Sequence, residues 1–181
     1  MDSGFHRDFR YLDTDADRQE LITDIQHVRQ QVIQHAESVP QDRVYELRYH
    51  GWSLAALLAH LNTIDSLTLL QIKFALIGIH PAVSLEMLNR FNDFTASVFR
   101  RRVIATTIRG MKRNEQRIVT LVKTLPIDRF TCEVYHPPSA MYLTAEQALQ
   151  QYFLFHWQEH LHTLQRVEGI YYEPPKNSTE F

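Results

Sequence analysis

Two histidines, His156 and His160, stand four residues apart in the run Leu149 to Val167, LQQYFLFHWQEHLHTLQRV. On a helix this spacing brings the two Cβ atoms to about 5–6 Å, so both imidazoles can reach one metal ion with bonds of about 2.0–2.1 Å. Leu149, Tyr152, Phe153, His156, His160, Leu164 and Val167 recur at three- and four-residue steps, which predicts one stripe facing a core. Imidazoles on such a stripe need partners for both ring nitrogens, and a shared metal supplies one. A third histidine, His60, falls in another apolar stripe with Leu57, Leu61, Ile64 and Leu67 or Thr68.

Other readings of these residues compete. His156-Trp157-Gln158-Glu159-His160 matches the H-x-x-E-H pattern of inverted zinc peptidases, in which the glutamate activates water. A chain of 181 residues leaves little length for a peptide cleft, which weighs against it. The alternative without metal has three histidines packed in a core, each with its own hydrogen-bond partner. His35 sits near the end of a predicted helix, where a partly charged imidazole suits the helix dipole, and it reads as structural, as does His27. His50, His80, His136 and His162 fall in loops or off the stripe and read as surface residues. Trp157 projects about 100° from His156 around the helix, which suits a helix–helix contact better than a substrate wall.

Four segments are available to position these groups. Caps between Asp13 and Asp17 open a helix whose Leu21, Ile25, Val28, Val32 and Ala36 keep helical period up to Pro40. Ser53 caps a long apolar helix that is expected to stop at Pro81. Residues 83–125 carry a third stretch, with Leu88, Phe91, Phe94 or Thr95, Val98 and Phe99, then Met111, Ile118, Val119, Val122 and Leu125. The β-branched run after Arg100-Arg101-Arg102 leaves open whether this is one helix or two. The triple arginine reads as a solvated face or a set of subunit salt bridges ahead of an anion site. Residues 127–143 are expected to be irregular, with Pro137-Pro138 excluding helix, and Thr144 with Glu146-Gln147 opens the histidine-bearing helix. With no convincing strand, the expectation is an all-α four-helix bundle over residues 17–170, between an N-terminal extension at 1–16 and a C-terminal tail at 171–181.

Composition narrows the function classes. Hydrophobic residues at 44% allow a sizeable core, and five Gly disfavour a turn-rich β protein. A formal charge of −2 with scattered Lys and Arg predicts no nucleic acid and no anionic membrane as partner. Without a signal-like run or a stretch that could span a bilayer, the reading is cytoplasmic. The single Cys132 excludes an internal disulfide framework, and Asn177-Ser178-Thr179 reads as a chance match to a glycosylation acceptor.

Trp52 to Leu61, WSLAALLAHL, together with FHWQEHLHTLQ and the Phe91-Asn92 context, resembles the DinB-like superfamily of metal-dependent enzymes, which includes the bacillithiol and mycothiol transferase branches. The resemblance spans most of the chain. It implies an up-down-down-up four-helix bundle, usually a homodimer, and it makes His60, His156 and His160 the three metal ligands. Many members carry a basic residue and Gly-Gln after the last ligand; here Leu161-His162-Thr163-Leu164-Gln165 follows, a departure on the substrate side of the site.

Three neutral histidines leave a divalent ion an open position, as catalytic sites do. Zinc is the default ion, with nickel, iron, manganese or copper also accepted. The chemistry expected is transfer of a low-molecular-weight thiol to a small electrophile, or metal-assisted hydrolysis of a small-molecule substrate. Glu159, about 60° from His156 around the helix, is the candidate proton acceptor. The alternative is a non-catalytic, stress-associated bundle that binds metal or a small ligand.

Overall fold

The computed structural model of the protein describes residues 8–169. The whole C-terminal tail, 171–181, with Pro174-Pro175 and Asn177-Ser178-Thr179, lies outside them, as does the start of the N-terminal extension. Helix α1 (Asp15–Ser38) starts where local chemistry demands it: Thr14 accepts the Asp17 N–H, and the Asp17 carboxylate accepts the Thr14 N–H. Helix α2 (Leu54–Leu76) is capped by Ser53, whose hydroxyl accepts the Ala56 N–H. It ends ahead of the expected stop at Pro81. Gly78, at φ +79°, takes the left-handed conformation, and the Ile77 and Ile79 N–H groups close on the Phe74 carbonyl.

The stretch from 83 to 125 is two helices, α3 (Leu85–Phe99) and α4 (Ile104–Thr124). Of the apolar stripe expected on α3, Phe94 and Val98 are exposed, and only Thr95 and Ala96 are buried. Helix α4 buries Met111, Ile118 and Val122 as its periodicity predicts. The segment read as irregular and free of strand holds an antiparallel hairpin, β1 (Glu133–His136) with β2 (Met141–Thr144). Strands of four residues are too short to stand out as an alternating pattern. Their connection is a 3-10 turn over Pro137–Ser139, which Pro137 opens because the first turn of a helix needs no N–H donor.

Thr144 and Gln147 form a second capping box and start α5 (Ala145–Gln150), which runs through a π-helical turn (Gln151–Phe155) into α6 (His156–Glu168). Core contacts on this run fall at Leu149, Phe153, Trp157, Leu161 and Leu164. Successive four-residue steps drift around an α-helix of 3.6 residues per turn, and the wider π turn absorbs the drift.

Side-chain bonds between helices define the topology. Arg18, early in α1, donates to the carbonyls of Lys123 and Leu125 at the end of α4, so these helices are antiparallel. Ser53 ahead of α2 donates to the Arg100 carbonyl ahead of α4, and Asn114 donates to Asn62 and Ser66, so α2 and α4 run parallel. They also pack closely, since a Cβ on Gly110 would lie 2.9 Å from Asn62 Oδ1. Gln150 exchanges bonds with the backbone of Arg10, which places the starts of α1 and α5 at the same end. The result is an up-down-down-up bundle of α1, α2, α4 and α5–α6, with α3 as the crossover that lets two consecutive bundle helices run the same way.

Candidate metal centre

His60 lies on the inner face of α2 and is 6% exposed. His156 opens α6 directly after the π turn, and His160 follows one turn on. His156 Nε2 is 3.2 Å from His60 Nε2 and 3.1 Å from His160 Nε2. One ligating nitrogen from each of the three rings can be chosen so that all lie within 4.8 Å of one another. Nitrogens bound tetrahedrally at 2.0–2.1 Å are about 3.3 Å apart, so the cluster has the dimensions of a three-nitrogen ligand set.

Electrostatics favours the same use. Burial holds His60 down at about 3, with His160 adding to the effect and the Asn92 side chain opposing it. Burial, and then His50, lowers His160 to about 4. Both rings are therefore neutral at neutral pH, the form that binds metal. A neutral imidazole has one donor and one lone pair. A cation lets all three Nε2 lone pairs point at one place, which satisfies this cluster of close nitrogens as direct hydrogen bonding cannot for every pair. The residues present fit a divalent metal.

The orientation of α6 rests on a buried assembly that sequence reasoning missed. Arg29 of α1 donates from Nη1 and Nη2 to the two oxygens of Asp65 on α2, each at 2.8 Å. Trp157 Nε1 donates to Asp65 Oδ1 at 3.1 Å, and the Arg29 guanidinium lies 3.9 Å from the centre of the Trp157 ring. Burial pushes the Asp65 carboxyl up, and Arg29 and Trp157 pull it back. Trp157 thus makes the helix–helix contact read from its angle, and in doing so it faces the residue after His156 inward. The available signal was a charge of each sign, Arg29 and Asp65, among the apolar positions of two helices. Trp52 packs against the His60 ring in an edge-to-face arrangement, with ring centroids 5.1 Å apart.

Glu159 is exposed on α6. His27, His50, His80 and His162 are exposed and His35 is half-buried, in line with their reading. His136 is the correction: it is 2% exposed. Alternation along β1 turns it inward with Val134, its ring stands on Tyr152 at 5.5 Å, and Nδ1 is 2.7 Å from Ser139 Oγ. Arg100 and Arg101 are exposed, so the triple arginine is mainly a solvated face.

No family model and no curated protein matches the chain. Solved structures do. YfiT from Bacillus subtilis, described as a probable metal-dependent hydrolase with an unusual four-helix bundle topology, superposes with a TM-score of 0.68 at 17% identity, over 91% of this chain and 90% of that one. ClbS, a colibactin self-resistance protein solved in complex with a dsDNA, superposes with a TM-score of 0.69 at 16% identity, over 86% of this chain and 97% of that one. The chain therefore has the DinB/YfiT-like four-helix bundle fold that the sequence resemblance implied.

ClbS also corrects the expectation of no nucleic-acid partner, since a protein of this fold is described bound to dsDNA. That expectation rested on whole-chain charge, which does not describe a local surface: Arg109, Lys112 and Arg113 are all exposed along α4. Among the described residues no helix is long and apolar enough to cross a membrane.

Proposed function

We propose that the protein is a metal-dependent enzyme acting on a small molecule, with His60, His156 and His160 as the ligands of one divalent ion. The observation that carries this reading is the convergence of three imidazoles on facing helices at ligand-set distances. The description of YfiT as a probable metal-dependent hydrolase on the same fold supports it. Zinc is the default ion, and imidazole ligands also accept nickel, iron, manganese and copper.

When bound, the ion supplies a Lewis acid that favours the deprotonated form of a water or thiol at its open position. The chain's own residues do the remaining work. Burial keeps the His60 and His160 rings unprotonated, the Arg29–Asp65–Trp157 assembly holds α6 in the rotation that aims His156 and His160, and Trp52 packs against the His60 ring. Glu159, at the solvent side of α6, is the proposed proton acceptor. The reaction is hydrolysis of a small-molecule bond, or transfer of a low-molecular-weight thiol where the thiol takes the place of water.

Elemental analysis of untagged protein purified without chelator tests the site. About one metal per chain, lost in His156→Ala, is the expected result. A chain that takes up no zinc, nickel, iron, manganese or copper would leave a non-catalytic bundle whose histidines serve packing.

A second reading, DNA binding, is favoured by the exposed Arg109, Lys112 and Arg113 and by the ClbS complex. It predicts a mobility shift of duplex DNA that weakens steeply with salt and is lost in Lys112→Glu/Arg113→Glu. No shift at low salt would remove it.

A further inference from the structure

One turn along α2 from His60, and one turn back along the histidine-bearing run from His156, the two helices open into a cavity of about 340 Å³. Ile64, Phe74, Val83, Leu88, Phe91 and Tyr152 are among its lining residues, and among the described residues no charged side chain takes part. A volume of this size falls within the range of small-molecule pockets, about 300–1,000 Å³. None of the three histidines lines it, but three of its lining residues are close to the cluster along the chain. Ile64 is four residues from His60, Tyr152 is four from His156, and Phe91 precedes Asn92, whose side chain acts on the His60 pKa.

The cavity does not belong to the tightly packed core of the bundle. It is bounded on its outer side by Val83 in the loop ahead of α3 and by Leu88 on α3 itself, the helix that buries least of its own surface. A pocket whose lining is apolar but for Thr68, Gln71 and the Tyr152 hydroxyl offers its binding energy chiefly to hydrocarbon. Sugars, nucleotides and zwitterions would lose more hydration there than these few groups return.

We infer that this cavity selects the substrate: it takes an uncharged alkyl, acyl or aryl group of a small molecule whose reactive bond is presented to the three-histidine centre. The inference rests on the metal-dependent reading above and adds the substrate class. Crossover helix α3 thereby acquires a role beyond topology, since it supplies one wall of the hydrocarbon site.

The test uses the cobalt(II)-loaded chain and a series of n-alkyl hydroxamates from acetohydroxamate to octanohydroxamate, with binding followed by the visible cobalt spectrum. The hydroxamate group reports the metal, and the chain reports the cavity. Affinity is expected to rise about threefold to fourfold per methylene, as burial of roughly 0.8 kcal/mol per CH₂ requires, until the cavity is full. Leu88→Trp and Val83→Trp fill the cavity from outside the metal helices. Each is expected to abolish the chain-length dependence and leave acetohydroxamate binding and metal content unchanged.

Equal affinity along the series in the metal-loaded wild type overturns the inference and leaves the metal reading standing. So does chain-length dependence that survives in both folded variants, which would place the alkyl chain elsewhere. If the chain takes up no cobalt, the metal reading falls by itself, and the cavity is judged on the metal-free protein with the neutral fluorophore N-phenyl-1-naphthylamine. Binding lost in both Trp variants keeps it as a hydrocarbon site, and unchanged or absent binding overturns it.

Discussion

An imidazole held far below its ordinary pKa is a good metal ligand and a poor proton acceptor over the same pH range, and His60 and His160 are both in that state. His60→Ala and His160→Ala are each expected to lose the metal, read as metal per chain after dialysis. Normal metal content in either variant removes that residue from the ligand set. Acid stability carries a second signature. Folded values of about 3 for His60 and about 4 for His160 lie below the ordinary 6.5, so the unfolded chain binds more protons below that pH. Their contribution is complete above about 6.5 and is lost as the pH falls toward the folded values. The urea midpoint of the metal-free chain should therefore fall between about pH 6.5 and pH 4, and less steeply in His60→Ala. At the proposed proton acceptor, Glu159→Gln should lower turnover about 10²-fold or more with metal content unchanged, whereas a solvated glutamate would give wild-type turnover.

At the scale of elements, the three-histidine cluster depends on how α6 is turned about its own axis, and that is decided by contacts on its other side. Trp157 is fully buried between Arg29 and Asp65, which carries His156 toward α2. Asp65→Ala leaves the Arg29 guanidinium buried without its counter-charge and should cost about 3–5 kcal/mol in urea unfolding. Trp157→Phe keeps the ring packing and removes one hydrogen bond to a charged group, so about 1.5–3 kcal/mol is expected. A loss below about 0.5 kcal/mol in Asp65→Ala would show that the assembly does not hold the helices. The π turn belongs to the same scale. It lets Leu149 and Trp157 both reach the core and places His156 at the start of a regular helix, a local departure from α geometry of the kind often found at functional sites.

For the whole molecule, the proposed metal site, shared between α2 and α6, would couple metal binding to folding, because the unfolded chain has no preformed site. A metal concentration about a hundredfold above Kd should stabilise the fold by about 2.7 kcal/mol, seen as a rise in Tm that chelator and His156→Ala both remove. A Tm indifferent to metal in the wild type would mean that the ion does not bridge the helices. The crossover design also leaves a consequence on the surface: α3 lies outside the four-helix core, and Leu85, Met87, Phe94 and Val98 are apolar residues that it leaves exposed.

The sequence by itself determined the helical segments, three of their N-caps and the pairing of His156 with His160 on one face, although the core-facing stripe of α6 runs through Trp157, Leu161 and Leu164 and leaves the two histidines half-buried. These depend on local chemistry: Thr14, Ser53 and Thr144 satisfy N–H groups a few residues away, and a 3.6-residue period sorts side chains onto faces without any distant partner. The resemblance carried by Trp52 to Leu61 and by the paired histidines reached the bundle topology as well. Only the tertiary structure decided what depends on contacts between segments far apart in the chain. The four-residue strands owe their pairing to each other, His136 is buried because Tyr152 covers it, and Phe94 is exposed because the other helices fill the core. Arg29, Asp65 and Trp157 look unrelated along the chain, at separations of 36 and 92 residues, and become one unit only where three helices meet.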